Sequence, residues 1–327
     1  MQDRDLVVGI DIGGTNTSLG FVDRSGRLIQ ASSLPTQAQD SPEIFAERLF
    51  QQIEELRTVL PSLHHLCGIG IGAPNAHGCR GTIEQAVNLN WGETVDFVHL
   101  IRKYYDLPVS LANDANAAAI GEMLFGNARG MKHFMVITLG TGLGSGIVTD
   151  GRLLCGASGF AGELGHTTVD PNGRQCGCGK RGCLETYVSA TGLVRTSRWL
   201  LAKRYNPSPH RTMTVQEMTS QQIFKLAAAG DALALEAFDR TARILGMKLA
   251  DAVAHLSPEA IFLAGGLAAA GDLLLKPTEQ YMNNFLFRAF RGTVKVLPSG
   301  MQPGESAILG AAALIWNELA SSKQPDH

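Results

Sequence analysis

Runs of apolar residues alternate along the chain between the period of a strand and that of a helix, separated by glycine and polar turns. Residues 6–12 and 17–22 read as two strands paired around a glycine turn. Ser41-Pro42-Glu43 supplies an N-cap and a proline at the first helical position. The helix it opens repeats Ile44, Phe45, Leu49, Ile53, Leu56 and Leu60 at helical spacing, and Pro61 closes it. A short apolar strand at 66–71, a helix at 95–105, a buried strand at 109–111 and an alanine-rich helix at 114–125 follow. Such strand–helix alternation predicts an α/β layered domain.

A second α/β pattern starts with strands at 134–139 and 146–149, again an apolar pair around glycines. Residues 156–182 are rich in Gly and Cys and show little period, which predicts a loop held by something other than a core. Helices are expected near 190–203, 221–229, 232–256 and 306–320, with strands at 260–263 and 294–297. The recurrence of the glycine hairpin near Asp11 and near Thr141 suggests two halves of similar design.

Composition narrows the partners. The 327 residues carry 28 Lys plus Arg against 30 Asp plus Glu, a net charge of −2, with no basic run. That balance argues against nucleic acid and for small-molecule partners. No segment approaches the roughly 18 apolar residues of a membrane span. The N-terminus lacks the apolar core of a signal peptide, so no membrane association and a cytoplasmic location are expected. Three of the six cysteines fall within eight residues, at Cys176, Cys178 and Cys183, a spacing more typical of metal binding than of disulfides in a reducing compartment. Together with His166 they make a complete tetrahedral set for Zn²⁺ with no open position, which points to a structural ion; a redox Cys-x-Cys pair is the other reading.

Three glycine turns follow strands. In Gly9-Ile-Asp11-Ile-Gly13-Gly14-Thr15-Asn16, consecutive glycines let backbone N–H groups approach phosphate oxygens, although a plain tight hairpin uses the same residues. Asp11 is a candidate magnesium ligand, directly or through water. Gly140-Thr141-Gly142-Leu-Gly144 supplies a second turn, and Gly265-Gly266 a third. Three such turns suggest a bound nucleotide, held differently from a P-loop or a Rossmann turn. Asn113-Asp114-Ala-Asn116 lies between a strand and a helix. On residue type alone, a helix cap and a catalytic carboxylate are both open there.

These segments resemble the sugar kinase–actin superfold. Residues 139–166, with glycines at 142, 144, 146, 156, 162 and 165 and His166 at the end, resemble the signature of the ROK family of repressors, open reading frames and sugar kinases. The likeness runs from about residue 6 to about residue 316 and is strongest toward bacterial glucokinases. It implies two actin-like (ribonuclease H-like) α/β domains around an active-site cleft, with a zinc-bound loop at 156–185. Residues 1–113 plus the last helix at 306–320 would form the smaller domain, and 114–305 the larger.

The resemblance further implies Mg-ATP and a hexose as substrates, and phosphorylation of the 6-hydroxyl. Asp114 would be the general base, and Asn113, Asp114, Glu163, His166 and Glu185 would contact the sugar. The glycine turns, with Thr15, Asn16 and Thr141, would hold ATP. A dimer or tetramer is expected from the same likeness. Asn75 stands where the glucokinases have glycine, and Val87 where they often have proline, so kinases for N-acetylmannosamine, N-acetylglucosamine or fructose remain open. A sugar-sensing repressor is a further alternative, disfavoured because only five residues precede the first strand. A nucleotide-driven filament or chaperone would leave the zinc loop without a purpose.

Overall fold

A computed structural model of the protein describes residues 4–61, 64–86, 88–302 and 304–322; Val87 lies outside them. The chain divides into two compact units, one drawn from 1–130, 153–161 and 300–327, the other from 131–152 and 162–299.

In unit 1 the strands are β1 (Asp5–Ile12), β2 (Asn16–Asp23), β3 (Leu28–Pro35), β4 (His65–Gly72), three short strands β5 (Ala76–His77), β6 (Thr82–Glu84) and β7 (Thr94–Asp96), and β8 (Val109–Ala112). The helices are α1 (Pro42–Thr58), α2 (Phe97–Arg102), α3 (Asp114–Leu124) and, from the end of the chain, α8 (Ser306–Ser321). The main sheet runs β3-β2-β1-β4-β8. Its β1–β2 and β2–β3 pairs are antiparallel, and β1–β4 and β4–β8 are parallel.

Strand alternation divides the core between two faces. Leu6, Val8 and Ile10 of β1 share a cluster with Phe45, Leu49 and Ile53 of α1, whereas Val7 joins Ile308, Ala312 and Ile315 of α8. Ser41 caps α1 as expected, its hydroxyl accepting from the Ile44 N–H at 3.4 Å. The apolar stripe is narrower than the sequence suggested, because Ile44 is 52% exposed and the helix stops at Thr58, short of Pro61.

The helix expected at 95–105 is instead a strand followed by a short helix. Val95 pairs with Ile83 in the small sheet, and the Asp96 carboxylate then caps α2 through the His99 N–H at 3.0 Å. The division expected after residue 113 also moves. Helix α3 packs on α8, with Gly121 and Gly310 at the crossing, and therefore belongs with unit 1. The Glu122 carboxylate fastens this arrangement: it is fully buried and accepts from the Asn127 N–H at 2.9 Å and the Gly300 N–H at 3.0 Å.

The sheet of unit 2 has the order β11-β10-β9-β12-β13, with β9 (Phe134–Leu139), β10 (Leu143–Thr149), β12 (Ala260–Ala264), β13 (Lys295–Pro298) and β11 (Arg152–Leu153), whose second residue is counted with unit 1. Again an antiparallel hairpin is followed by parallel neighbours, so the duplicated hairpin seen in the sequence belongs to a duplicated sheet design. Its helices are α4 (Ala190–Lys203), α5 (Ser220–Ala228), the 25-residue α6 (Ala232–Leu256) and α7 (Asp272–Phe285). No helix among the described residues is long and apolar enough to cross a membrane.

Candidate active site and metal-ligating loop

In unit 1, β1 ends at the first glycine turn. The Gly13 N–H donates to the Asn16 carbonyl at 3.1 Å, and Thr36 braces the loop by donating its hydroxyl to the Gly13 carbonyl at 2.7 Å. A side chain on Gly14 would come within 2.8 Å of the Asn88 Cβ, so glycine there is required by close packing. Thr15 and Asn16 are exposed at the turn. Gly9 is placed elsewhere. It lies mid-strand beneath α8, where a Cβ would run into the Ile308 carbonyl oxygen, so it serves packing and not the turn.

Asp11 and Gly72 are register partners at the ends of β1 and β4. A Cβ on Gly72 would sit 3.6 Å from Ala117 of α3 and 3.7 Å from an Asp11 carboxylate oxygen, so α3 is set beside Asp11. Burial, and secondarily the charge of Asp114, push the Asp11 carboxyl up to about 6. Asn113 caps α3, its side-chain oxygen accepting from the Asn116 N–H at 2.7 Å. That leaves the neighbouring Asp114 carboxyl unneeded for the cap. Asp114 accepts from the Ala115 N–H at 2.8 Å and is open to solvent. The protein packed around it still raises its carboxyl above the usual range, against the pull of its own and Ala115's N–H. A carboxylate whose charge is disfavoured by burial and by a second carboxylate, beside a glycine turn, suits a cation, and the second carboxylate suits a proton acceptor.

In unit 2 the second turn closes through the Gly140 N–H and the Gly142 carbonyl at 3.0 Å. The start of α4 braces it: the Ala190 N–H donates to the Gly140 carbonyl at 2.9 Å and the Thr191 hydroxyl to the Thr141 carbonyl at 2.8 Å. Gly144 pairs with Thr138 inside the hairpin. The third turn lies at the end of β12. Gly265 has φ +87°, and a Cβ there would be 2.7 Å from the Leu139 carbonyl oxygen, while Gly266 is open. Gly140–Gly142 and Gly265 thus meet at the end of β9.

Glu185 links this turn to the cysteine loop. One carboxylate oxygen accepts from the Leu143 N–H at 3.1 Å, and the other lies 3.5 Å from the Cys176 sulfur. The four expected metal ligands converge: the sulfurs of Cys176, Cys178 and Cys183 and a ring nitrogen of His166 all lie within 4.8 Å of one another. Around a tetrahedral zinc with bonds of about 2.3 Å, sulfurs sit about 3.8 Å apart. The Cys178–Cys183 separation is 3.7 Å, and Cys176 lies 3.8 Å from His166 Nδ1. The donor set therefore fits zinc. Burial pushes the Cys176 thiol up to about 12, so a thiolate at Cys176 needs a cation beside it. His166 turns its Nε2 toward Glu163 at 3.9 Å, so the two ring nitrogens face different groups.

Sequence reasoning missed the residues that hold these parts. Arg174 donates to the carbonyls of Thr186 at 2.7 Å and Gly192 at 3.1 Å, and its guanidinium lies 4.4 Å from the Tyr187 ring centroid. It ties the cysteine loop to α4, and only its place between Gly173 and Cys176 hinted at this. Asn88 and Thr36 gave no signal.

A family model described as ROK matches residues 7–318. The chain belongs to the ROK family. Within that family it is 38% identical to the glucokinase of Halalkalibacterium halodurans, over 87% of this chain and 87% of that protein. A ROK glucokinase from Streptomyces griseus, solved in complex with glucose and AMPPNP, is 32% identical and superimposes with a TM-score of 0.80, covering 94% of this chain and 98% of that one. The xylose repressor of Bacillus subtilis is 29% identical, over 94% of this chain and 76% of the repressor. ROK membership thus connects the chain both to kinases and to repressors.

Proposed function

We propose that this ROK chain transfers the γ-phosphoryl group of ATP to the 6-hydroxyl of a hexose, glucose first among the candidates. The observation that carries this reading is the pairing of Asp11 with Asp114 beside a glycine turn: two carboxylates in one unit, one at a strand end and one at the first position of a helix. Phosphoryl transfer needs a fixed acceptor hydroxyl, a place for its proton and neutralised phosphate charge. Asp114 accepts the proton of the sugar hydroxyl. Its raised carboxyl makes it a better proton acceptor than an ordinary surface aspartate. Asn113 orients the sugar beside it, and Glu163, His166 and Glu185 hydrogen-bond further hydroxyls. The glycine turns at 13–14, 140–144 and 265–266 present N–H groups to the nucleotide.

Asp11 is the residue that would hold magnesium, directly or through water. When bound, that ion screens the phosphate oxygens against the attacking hydroxyl. His166, Cys176, Cys178 and Cys183 would hold a structural zinc. With Nδ1 directed at the ion, Nε2 of His166 keeps its hydrogen and donates to the sugar.

A coupled ADP-release assay over glucose, fructose, mannose, N-acetylglucosamine and N-acetylmannosamine tests the substrate. A hundredfold preference in kcat/KM, about 2.7 kcal/mol in the transition state, names it. Asp114→Asn should lower kcat by about 10²–10⁴ with nucleotide affinity retained; an unchanged kcat removes the base assignment. Absence of turnover with every sugar, together with saturable sugar binding, would favour the regulator reading that the xylose repressors suggest.

A further inference from the structure

We propose that Asp5, His65 and Cys67 form a separate site for a borderline divalent cation, zinc above all, at the start of the unit 1 sheet. Asp5 and His65 are register partners where β1 and β4 begin. The parallel register then slips: Leu6 faces Leu66 but Val7 faces Gly68, leaving Cys67 as the extra residue of a bulge. At such a bulge two successive residues lean to one side of the sheet. Cys67 packs on the α8 face, and a Cβ on Gly68 would meet Ile315 of the same helix. The bulge thereby sets the Cys67 sulfur back toward His65 and Asp5. Its sulfur lies 3.3 Å from His65 Nδ1, which in turn lies 3.9 Å from an Asp5 carboxylate oxygen. All three donor atoms fall within 4.8 Å of one another. Among the described residues only the His166 cysteine cluster shares this property.

The chemistry of the donors selects the ion. One thiolate, one imidazole and one carboxylate form a mixed S, N, O set that suits zinc better than magnesium or calcium. The two anions balance the dication. Around zinc, nitrogen–sulfur and nitrogen–oxygen edges are about 3.4–3.5 Å, so the carboxylate closes on His65 by about half an ångström. The His65 side chain is 75% exposed and can follow. Three protein ligands leave a position for water, so this ion exchanges more readily than one in a closed four-ligand shell. Metal binding displaces the Cys67 proton, and affinity therefore rises with pH. The site lies at the opposite end of β1 from Asp11, about 20 Å away at the usual strand rise.

The test is a difference in stoichiometry. Full-length protein is equilibrated with Zn²⁺ under reducing conditions, passed through a desalting column and assayed for zinc per chain. His65→Ala and Cys67→Ser are each expected to bind one equivalent fewer than the unsubstituted chain, with thermal unfolding of the metal-free His65→Ala protein unchanged. In a Co²⁺ titration the corresponding equivalent should show a charge-transfer band of single-thiolate intensity that Cys67→Ser abolishes. Equal zinc content in His65→Ala and the unsubstituted chain, or a band that survives Cys67→Ser, overturns the proposal. Because the readout is a difference, the occupancy of the His166 cluster does not affect it.

Discussion

Burial and the neighbouring Asp114 hold the Asp11 carboxyl at about 6, so above the ordinary carboxylate range the folded chain keeps a proton that the unfolded chain has released. Stability from this group is therefore fully present below about pH 4 and declines as pH rises toward 6. At pH 7 the ionised side chain opposes folding by up to about 3 kcal/mol, the equivalent of a shift of roughly two pH units. Asp11→Asn removes that penalty and the proposed magnesium ligand together. Urea unfolding without Mg²⁺ or nucleotide should show the variant more stable at pH 7 and indistinguishable at pH 4, while phosphoryl transfer falls. A variant no more stable at pH 7 would mean that Asp11 is well solvated in solution. Gly9, only two residues earlier, shows where reading by residue type stops. The glycine pattern marked it as part of the turn, but its lack of a side chain is required by the Ile308 carbonyl of α8, nearly 300 positions away. Local spacing carries the turn; it cannot carry what packs across the strand.

At the scale of elements, the sequence was most informative where a local chemical rule decides the structure. The Ser41-Pro42 start of α1, the span of α6 and the four-ligand cluster were all legible because caps, periodicity and donor spacing are local. β3 and the β5–β7 sheet escaped notice because pairing partners define them more than their own residues do. α7 escaped because Pro277 sits inside it, where the helix forgoes one backbone bond and gains burial of Leu274, Thr278 and Met282. The cysteine loop has few apolar residues of its own. Under the proposed zinc ligation its order rests on the ion and on Arg174, whose guanidinium burial shifts down to about 10 yet leaves charged at neutral pH. Cys178→Ser should release close to one equivalent of zinc and lower stability by about 2–5 kcal/mol, because part of the binding energy of a structural ion is folding energy. Thermal unfolding with parallel zinc analysis checks this. Loss of zinc with no change in unfolding would show that the Arg174 contacts alone hold the loop.

The whole molecule repeats one sheet design, but the two units are completed differently. Unit 1 gathers its fold from three stretches of chain, and the last of them supplies α8. That helix covers the face of β1 on which Val7 and Gly9 lie, and it crosses α3, the helix that carries Asp114. Ile308, Leu309, Ile315 and Trp316 are each at most 5% exposed. At about 1.5–3 kcal/mol per large apolar side chain, removing these four alone costs roughly 6–12 kcal/mol, comparable with the entire stability of an ordinary domain. Truncation after residue 305 should therefore leave unit 1 unfolded and eliminate phosphoryl transfer without touching a residue of the proposed chemistry. Unit 2 keeps β9, β10, β12, β13, α6 and the cysteine loop in this truncation, because none of them belongs to the clusters that α8 completes. Hydrogen exchange is the direct measurement: amides of β1, β4 and α3 should lose protection while those of β9, β12 and α6 retain it. Continued protection in β1 would mean that α1 alone is cover enough for the sheet. The position of Asp114 would then depend on its own helix, and not on the chain's last one.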